Sequence, residues 1–186
     1  MNLCVLGRVL CFRHEYEEAI AFLEEAIRIN PSFAQAYFAL GFTLIVSGRA
    51  KDALVYLDSA TKFSPRDPHL ASFHTIRAVA HLALDQLDTA ERFARVATRV
   101  PNANHWPFAL LASLLAIGGH SQESRRAVDL LLERHPGYSA ETARSDFFFC
   151  GDQALVQRYI EGLRRAGLPE HSGAARPTGT TRLAAA

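Results

Sequence analysis

The sequence predicts an all-α protein, a right-handed αα superhelix of about four stacked helical hairpins with a C-terminal capping hairpin. Three observations predict it: a repeat close to 34 residues, two amphipathic helical patterns in each repeat, and glycine or proline where each helix must stop.

The period is visible in the small residues. Gly7 is followed by Gly41, Ala19 by Ala53, Ala26 by Ala60 and Pro31 by Pro65, each 34 residues on. Ala78 and Ala112 keep that interval, while the step from Gly41 to Ala78 is 37, which places a three-residue insertion in PRDPHLA. In the second unit Ala36, Tyr37, Leu40, Gly41 and Leu44 fall at helical spacing, and after SGRA so do Ala53, Leu54, Leu57 and Ala60. Gly48 ends one helix and Pro65 stops the next. Asp67-Pro68 reads as a cap with a first-turn proline, Asp88 with Glu91 as a capping box, and Ser121 after Gly118-Gly119 as a cap. Gly7, Gly41, Ala78 and Ala112 on first helices, with Ala19, Ala53 and Ala90 on second helices, let the two helices of a hairpin approach closely. One hairpin cannot bury its apolar face, so stability comes from stacking.

These residues resemble the tetratricopeptide repeat, a 34-residue helix-turn-helix unit with an LG pair, a later alanine and a closing proline. Leu6-Gly7, Ala19, Leu23, Ala26 and Pro31 carry the likeness in the first unit. Tyr37, Leu40-Gly41, Ala53, Leu57, Ala60 and Pro65 carry it in the second. The third and fourth are looser, with Ala78, Ala90, Ala97 and Pro101, then Leu111-Ala112, Gly119, Leu131 and Pro136; Ser124 stands where the second-helix alanine would be. The likeness spans residues 1–136, divided at about 1–33, 34–67, 70–103 and 104–137.

Residues 138–169 are expected to form the capping helices. A short pattern begins at Ser139, and a second, from Asp152 to Ala166, puts Leu155, Val156, Tyr159, Ile160 and Leu163 on one face before Gly167 and Pro169 end it. Phe147, Phe148 and Phe149 are expected to close that end of the array, with Cys150 a buried thiol. Residues 170–186 lack periodicity and read as a disordered tail. At the other end, Cys4, Val5, Val9 and Leu10 face a position where a preceding element would pack, so the chain is read either as the end of a longer protein or as docking on a partner through this edge.

FFFCGDQALVQRYIEGLRRAGLPE and HWPFALLASLLAIGG resemble the C-terminal tetratricopeptide regions of bacterial class III adenylate cyclases and related signalling proteins. The resemblance implies a regulatory or self-assembly tail and transfers no catalysis, since no strand pattern with paired metal-binding aspartates is present.

Composition limits the remaining choices. Of 186 residues, 49% are hydrophobic, enough for a continuous core, and 20 basic residues nearly balance 19 acidic ones. No overall field points to nucleic acid or a membrane surface. Three cysteines make neither an even disulfide set nor a CxxC pair, and the apolar start lacks a basic leader, so a cytoplasmic protein with reduced thiols is expected. His74 and His81 are seven residues apart, not the three or four of helical zinc pairs, and read as structural. No phosphate loop, GxSxG or HExxH sequence is present, so neither an enzyme nor a cofactor is expected.

The expected functional surface is the concave groove formed by the first helices. By the repeat register its partner-binding residues are Arg8 from the first, Gln35, Phe38, Phe42 and Ile45 from the second, Thr75 and Val79 from the third, and Trp106 from the fourth. Chaperone-binding members of the family clamp a peptide carboxylate with lysine and asparagine side chains. Here Cys4 and Arg8, then Phe38 and Phe42, stand at those places, so an apolar protein or peptide segment is the expected partner instead. The alternative is that these rings pack inside the array or beneath the chain's own last helix.

Overall fold

The computed structural model describes residues 2–101 and 103–173, and in them ten helices follow one another without a strand. Met1, Asn102 and residues 174–186, which include most of the expected tail, lie outside the described residues. Eight helices form four pairs: α1 (Leu3–Phe12) with α2 (Tyr16–Ile29), α3 (Ala34–Val46) with α4 (Ala50–Phe63), α5 (Leu70–Ala83) with α6 (Leu87–Arg99), and α7 (His105–Ile117) with α8 (Ser121–Arg134). The first helices touch in series, α1 on α3, α3 on α5 and α5 on α7, and make one continuous inner layer. Each second helix packs on its own partner and, in the first three pairs, on the first helix of the next pair.

The turn inside each pair repeats one backbone device. His14, Gly48, Asp85 and Gly119 have φ of 63°, 85°, 59° and 82°. The following N–H then donates to a carbonyl five residues back: Glu15 to Leu10 at 3.0 Å, Arg49 to Leu44 at 2.7 Å, Gln86 to His81 at 2.9 Å and His120 to Leu115 at 2.8 Å. This closure satisfies the carbonyls at the end of the first helix. It also reverses the chain so tightly that α2, α4, α6 and α8 start without a side-chain cap. The caps expected from sequence are therefore displaced. Asp88 lies within the first turn of α6 and Ser121 is already helical, while Asp67 Oδ1 accepts the His69 N–H (2.8 Å) in the turn before α5. Asp52, Asp88 and Glu123 still place negative charge at the positive ends of their helices.

Close approach within a pair is set by Gly7 and Gly41. A Cβ on Gly7 would lie 2.6 Å from Leu23 Cγ, and one on Gly41 would lie 2.7 Å from Leu57 Cδ2. Sixteen residues separate each glycine from its leucine, and in the later repeats that register pairs Ala78 with Ala94 and Ala112 with Val128, all four buried. Where the first helix gains a methyl, the second carries a smaller side chain. Ala19, Ala53 and Ala90 are likewise fully buried.

The C-terminal pair departs from the stack. In α9 (Ala140–Asp146) Ser139 caps the helix and accepts the Thr142 N–H (3.1 Å). In α10 (Gln153–Arg165) Asp152 does the same for Leu155 (3.0 Å). The main neighbours of α10 are α7 and α9, and it buries Leu155, Val156, Tyr159, Ile160 and Leu163. Ser113 Oγ donates to the Tyr159 carbonyl at 2.8 Å, and Gly162 leaves no room for a Cβ above Ser113. The pair thus folds over the inner layer. The phenylalanine run is not helical but forms the turn between α9 and α10, and it does not close the end of the array as expected: Phe148 is 63% exposed and Phe149 points into the inner layer.

Candidate ligand-binding groove

The inner layer presents the side chains of α1, α3, α5 and α7 on one concave surface, and residues 149–158 cross part of it. Tyr16 Oη donates to the Phe149 carbonyl at 2.9 Å, and the N–H groups of Gly151 and Asp152 both donate to Val46 O, at 2.9 and 3.2 Å. Arg158 donates to Leu82 O (3.0 Å) and pairs with Asp85. Val46 and Leu82 lie at the ends of α3 and α5; Val46 O takes its N–H donors from the crossing segment, while Leu82 O accepts Arg158 in addition to the Asp85 N–H (3.1 Å) of its own turn. Phe149 packs its ring against Phe12 (5.4 Å between centroids), Phe42 (5.2 Å) and Trp106 (6.1 Å). It thereby touches the first, second and fourth repeats.

This crossing divides the expected partner-binding residues. Ile45, Thr75 and Val79 belong to the concave layer but are buried at 1%, 3% and 7% exposure, and together with Phe147, Phe149 and Tyr159 they enclose a void of about 20 Å³. Ile45 and Val79 do not face solvent, contrary to the sequence reading, because the chain's own C-terminal segment covers them, while Thr75 also lines the larger cavity beside them. Phe38, Phe42 and Trp106 remain half-buried around a cavity of about 210 Å³, and Arg8 reaches its edge. Phe38 stacks on the buried Phe73 at 4.7 Å, which holds the ring as a wall. Gln35 stands in an outer compartment of about 520 Å³, where its Nε2 donates to both oxygens of Asp67 at 3.2 Å. Arg8 borders both compartments, and among the described residues no carboxylate pairs with it.

Phe12, Asn104 and Phe149 also line the cavity, and the sequence reading missed them. Phe12 is the last residue of α1, one position beyond the assumed stripe. Asn104 caps α7 by accepting the Trp106 N–H at 3.1 Å. No local pattern links Phe149 to Phe42, although three adjacent phenylalanines were a signal that some apolar surface needed covering.

The thiols in and behind the groove are held in the neutral form. Burial pushes the Cys4 and Cys11 thiols up, and Cys150, fully buried behind Phe149, is pushed up to about 11. His74 and His81 both lie parallel to Phe93, with centroids at 6.2 and 5.4 Å, where Arg77 also sits over the ring. Among the described residues no helix is long and apolar enough to cross a membrane.

A family profile for the tetratricopeptide repeat matches residues 13–76. No curated protein matches the sequence. Solved structures that are similar include YrrB, described as a tetratricopeptide-repeat protein with an unusual peptide-binding site, with 19% identity, TM-score 0.60 and coverage of 88% of this chain and 82% of that one. A thermophilic tetratricopeptide-repeat protein of Thermus thermophilus has 20% identity, TM-score 0.64 and coverage of 87% and 80%. MamA has 17% identity, TM-score 0.62 and coverage of 86% and 91%. These likenesses show the superhelical fold.

Proposed function

Taking a tetratricopeptide-repeat superhelix as the premise, we propose that this protein is a non-catalytic scaffold that binds an apolar segment of another protein on its concave face. The observation that carries the proposal is the chain's own behaviour: an aromatic segment, Phe149 to Asp152, already lies across that face with its backbone hydrogen-bonded to Tyr16 and Val46. A surface that takes one such segment has the walls for another beside it, and Phe12, Phe38, Phe42 and Trp106 line the part left open. Selecting a random peptide library on the protein tests this. Enriched peptides should carry aromatic or large aliphatic residues and lose binding to Phe38→Asp; peptides indifferent to that change would overturn the assignment.

A second reading rests on the sequence likeness of residues 105–119 and 147–170 to tetratricopeptide regions of bacterial class III adenylate cyclases. It makes the protein a cytoplasmic regulatory or assembly region of a signalling protein. Val5 and Val9, 54% and 48% exposed on α1, then supply the face for a preceding domain or another copy. Adding the protein to a class III cyclase catalytic domain and finding no change in cyclic AMP formation would count against this reading.

A further inference from the structure

We propose that the cavity between α1, α3, α5 and α7 is a small-molecule site for a single aromatic ring carrying a carboxylate. The walls, the size and the charge each limit the occupant. Phe12, Phe38, Phe42, Trp106 and Phe149 put five aromatic rings on the lining, and ring-to-ring contact at their edges favours an aromatic guest over an aliphatic one. The volume, about 210 Å³, is too small for a helix, whose diameter with side chains is roughly 10–12 Å. It suits one ring with a short substituent, since an apolar cavity of about 150 Å³ accepts benzene.

The far side is closed. Phe149 stands between this cavity and the void lined by Ile45, Val79 and Tyr159, so the cavity ends there. On the other side it adjoins the outer compartment, and Arg8, Phe38 and Ser72 line both.

Charge decides the substituent. Arg8 is the sole charged residue lining the cavity and has no carboxylate partner among the described residues. The acid that lines the outer compartment, Asp67, is held by Gln35 Nε2 and the His69 N–H. A guanidinium at the mouth of an apolar chamber is suited to an anionic group on the guest, with Ser72 and Asn104 adding polar atoms to the lining. The guest's ring goes inward and its carboxylate stays at the mouth.

This site goes beyond the peptide reading, and one titration separates them. Trp106 is the only tryptophan in the chain and lines the cavity, so its fluorescence reports occupancy directly. The full chain is titrated with 3-phenylpropionate and with its uncharged amide. The acid should change the signal saturably, with the amide weaker by about tenfold or more, the weight of a charged hydrogen bond. Arg8→Gln should abolish the difference between the two, leaving amide affinity and melting temperature unchanged, because Arg8 is exposed and pairs with no carboxylate among the described residues. Equal affinity for acid and amide, or no response to either, overturns the proposal. If the acid binds selectively and an uncharged aromatic peptide does not compete with it, the small-molecule site stands and the peptide reading falls. If such a peptide binds through Phe38 while acid and amide bind alike, the reverse holds.

Discussion

Replacing Phe149 by alanine should destabilise the protein far more than the same change one residue earlier. Phe149 is 4% exposed, and its ring lies 5.2–6.1 Å from those of Phe12, Phe42, Trp106, Phe147 and Phe148. Burial of a phenylalanine side chain is worth about 1.5–3 kcal/mol, and the cavity left by Phe→Ala brings the usual total to about 3–5 kcal/mol. Phe149 borders an open cavity that water can enter, which relieves part of the cavity cost, so the lower end, about 3 kcal/mol, is expected. In a chain of this size that lowers the melting temperature by roughly 6–12 °C. Phe148 is 63% exposed, so Phe148→Ala should cost under about 1 kcal/mol. Urea unfolding followed by circular dichroism measures both. Equal midpoints for the two variants, or a Phe149→Ala midpoint matching wild type, would refute the seating of this ring on the concave face.

Gly162→Ala tests the docking of α10. Its Cβ would collide with Ser113 Oγ and lie 2.7 Å from the Ser113 carbonyl oxygen, so α10 must move away from α7, at a cost of about 1–3 kcal/mol. Adding Ser113→Ala should recover only part of the loss, because the backbone contact remains; full recovery would place the strain elsewhere. Stability should also fall in mild acid. Burial lowers the pKa of His74, and burial followed by neighbouring His135 lowers that of His105, so the unfolded chain binds more protons once pH drops below the ordinary value near 6.5. The urea midpoint should decline from about pH 7.5 to about pH 5, and less steeply in His74→Phe; a flat profile contradicts the burial of these rings. In alkali the sign reverses. Cys150, raised from 9.0 to about 11, loses its stabilising contribution as pH rises through that window. All three thiols are buried and should resist a disulfide reagent at about pH 8 until denaturant is added, whereas prompt reaction of one would show an opening that the fold does not have.

The repeat, the pairing of helices and the tight interiors at Gly7 and Gly41 were legible because each follows from local sequence at a fixed spacing. The turns were legible at Gly48 and Gly119 but hidden at His14 and Asp85, where residues with side chains adopt the same positive φ. Helix starts were misplaced because the turn's backbone, and not a side chain, satisfies the helix end. The groove was half legible. Arg8, Phe38, Phe42, Thr75 and Trp106 line the open cavity, while Ile45 and Val79 lie in the same layer under a cover. That cover depends on contacts between residues more than a hundred positions apart, Tyr16 with Phe149 and Val46 with Gly151, and periodicity carries no information about such pairs.

The central claim is that the C-terminal segment lies across the concave face and reaches the first repeat. Nuclear Overhauser contacts from a selectively labelled Phe149 ring measure this most directly. Cross-peaks to the rings of Phe12 and Phe42 as well as Trp106 are predicted. Cross-peaks confined to Trp106, Phe147 and Tyr159, with none to Phe12 or Phe42, would mean that the segment caps the fourth repeat alone and leaves the groove open from end to end.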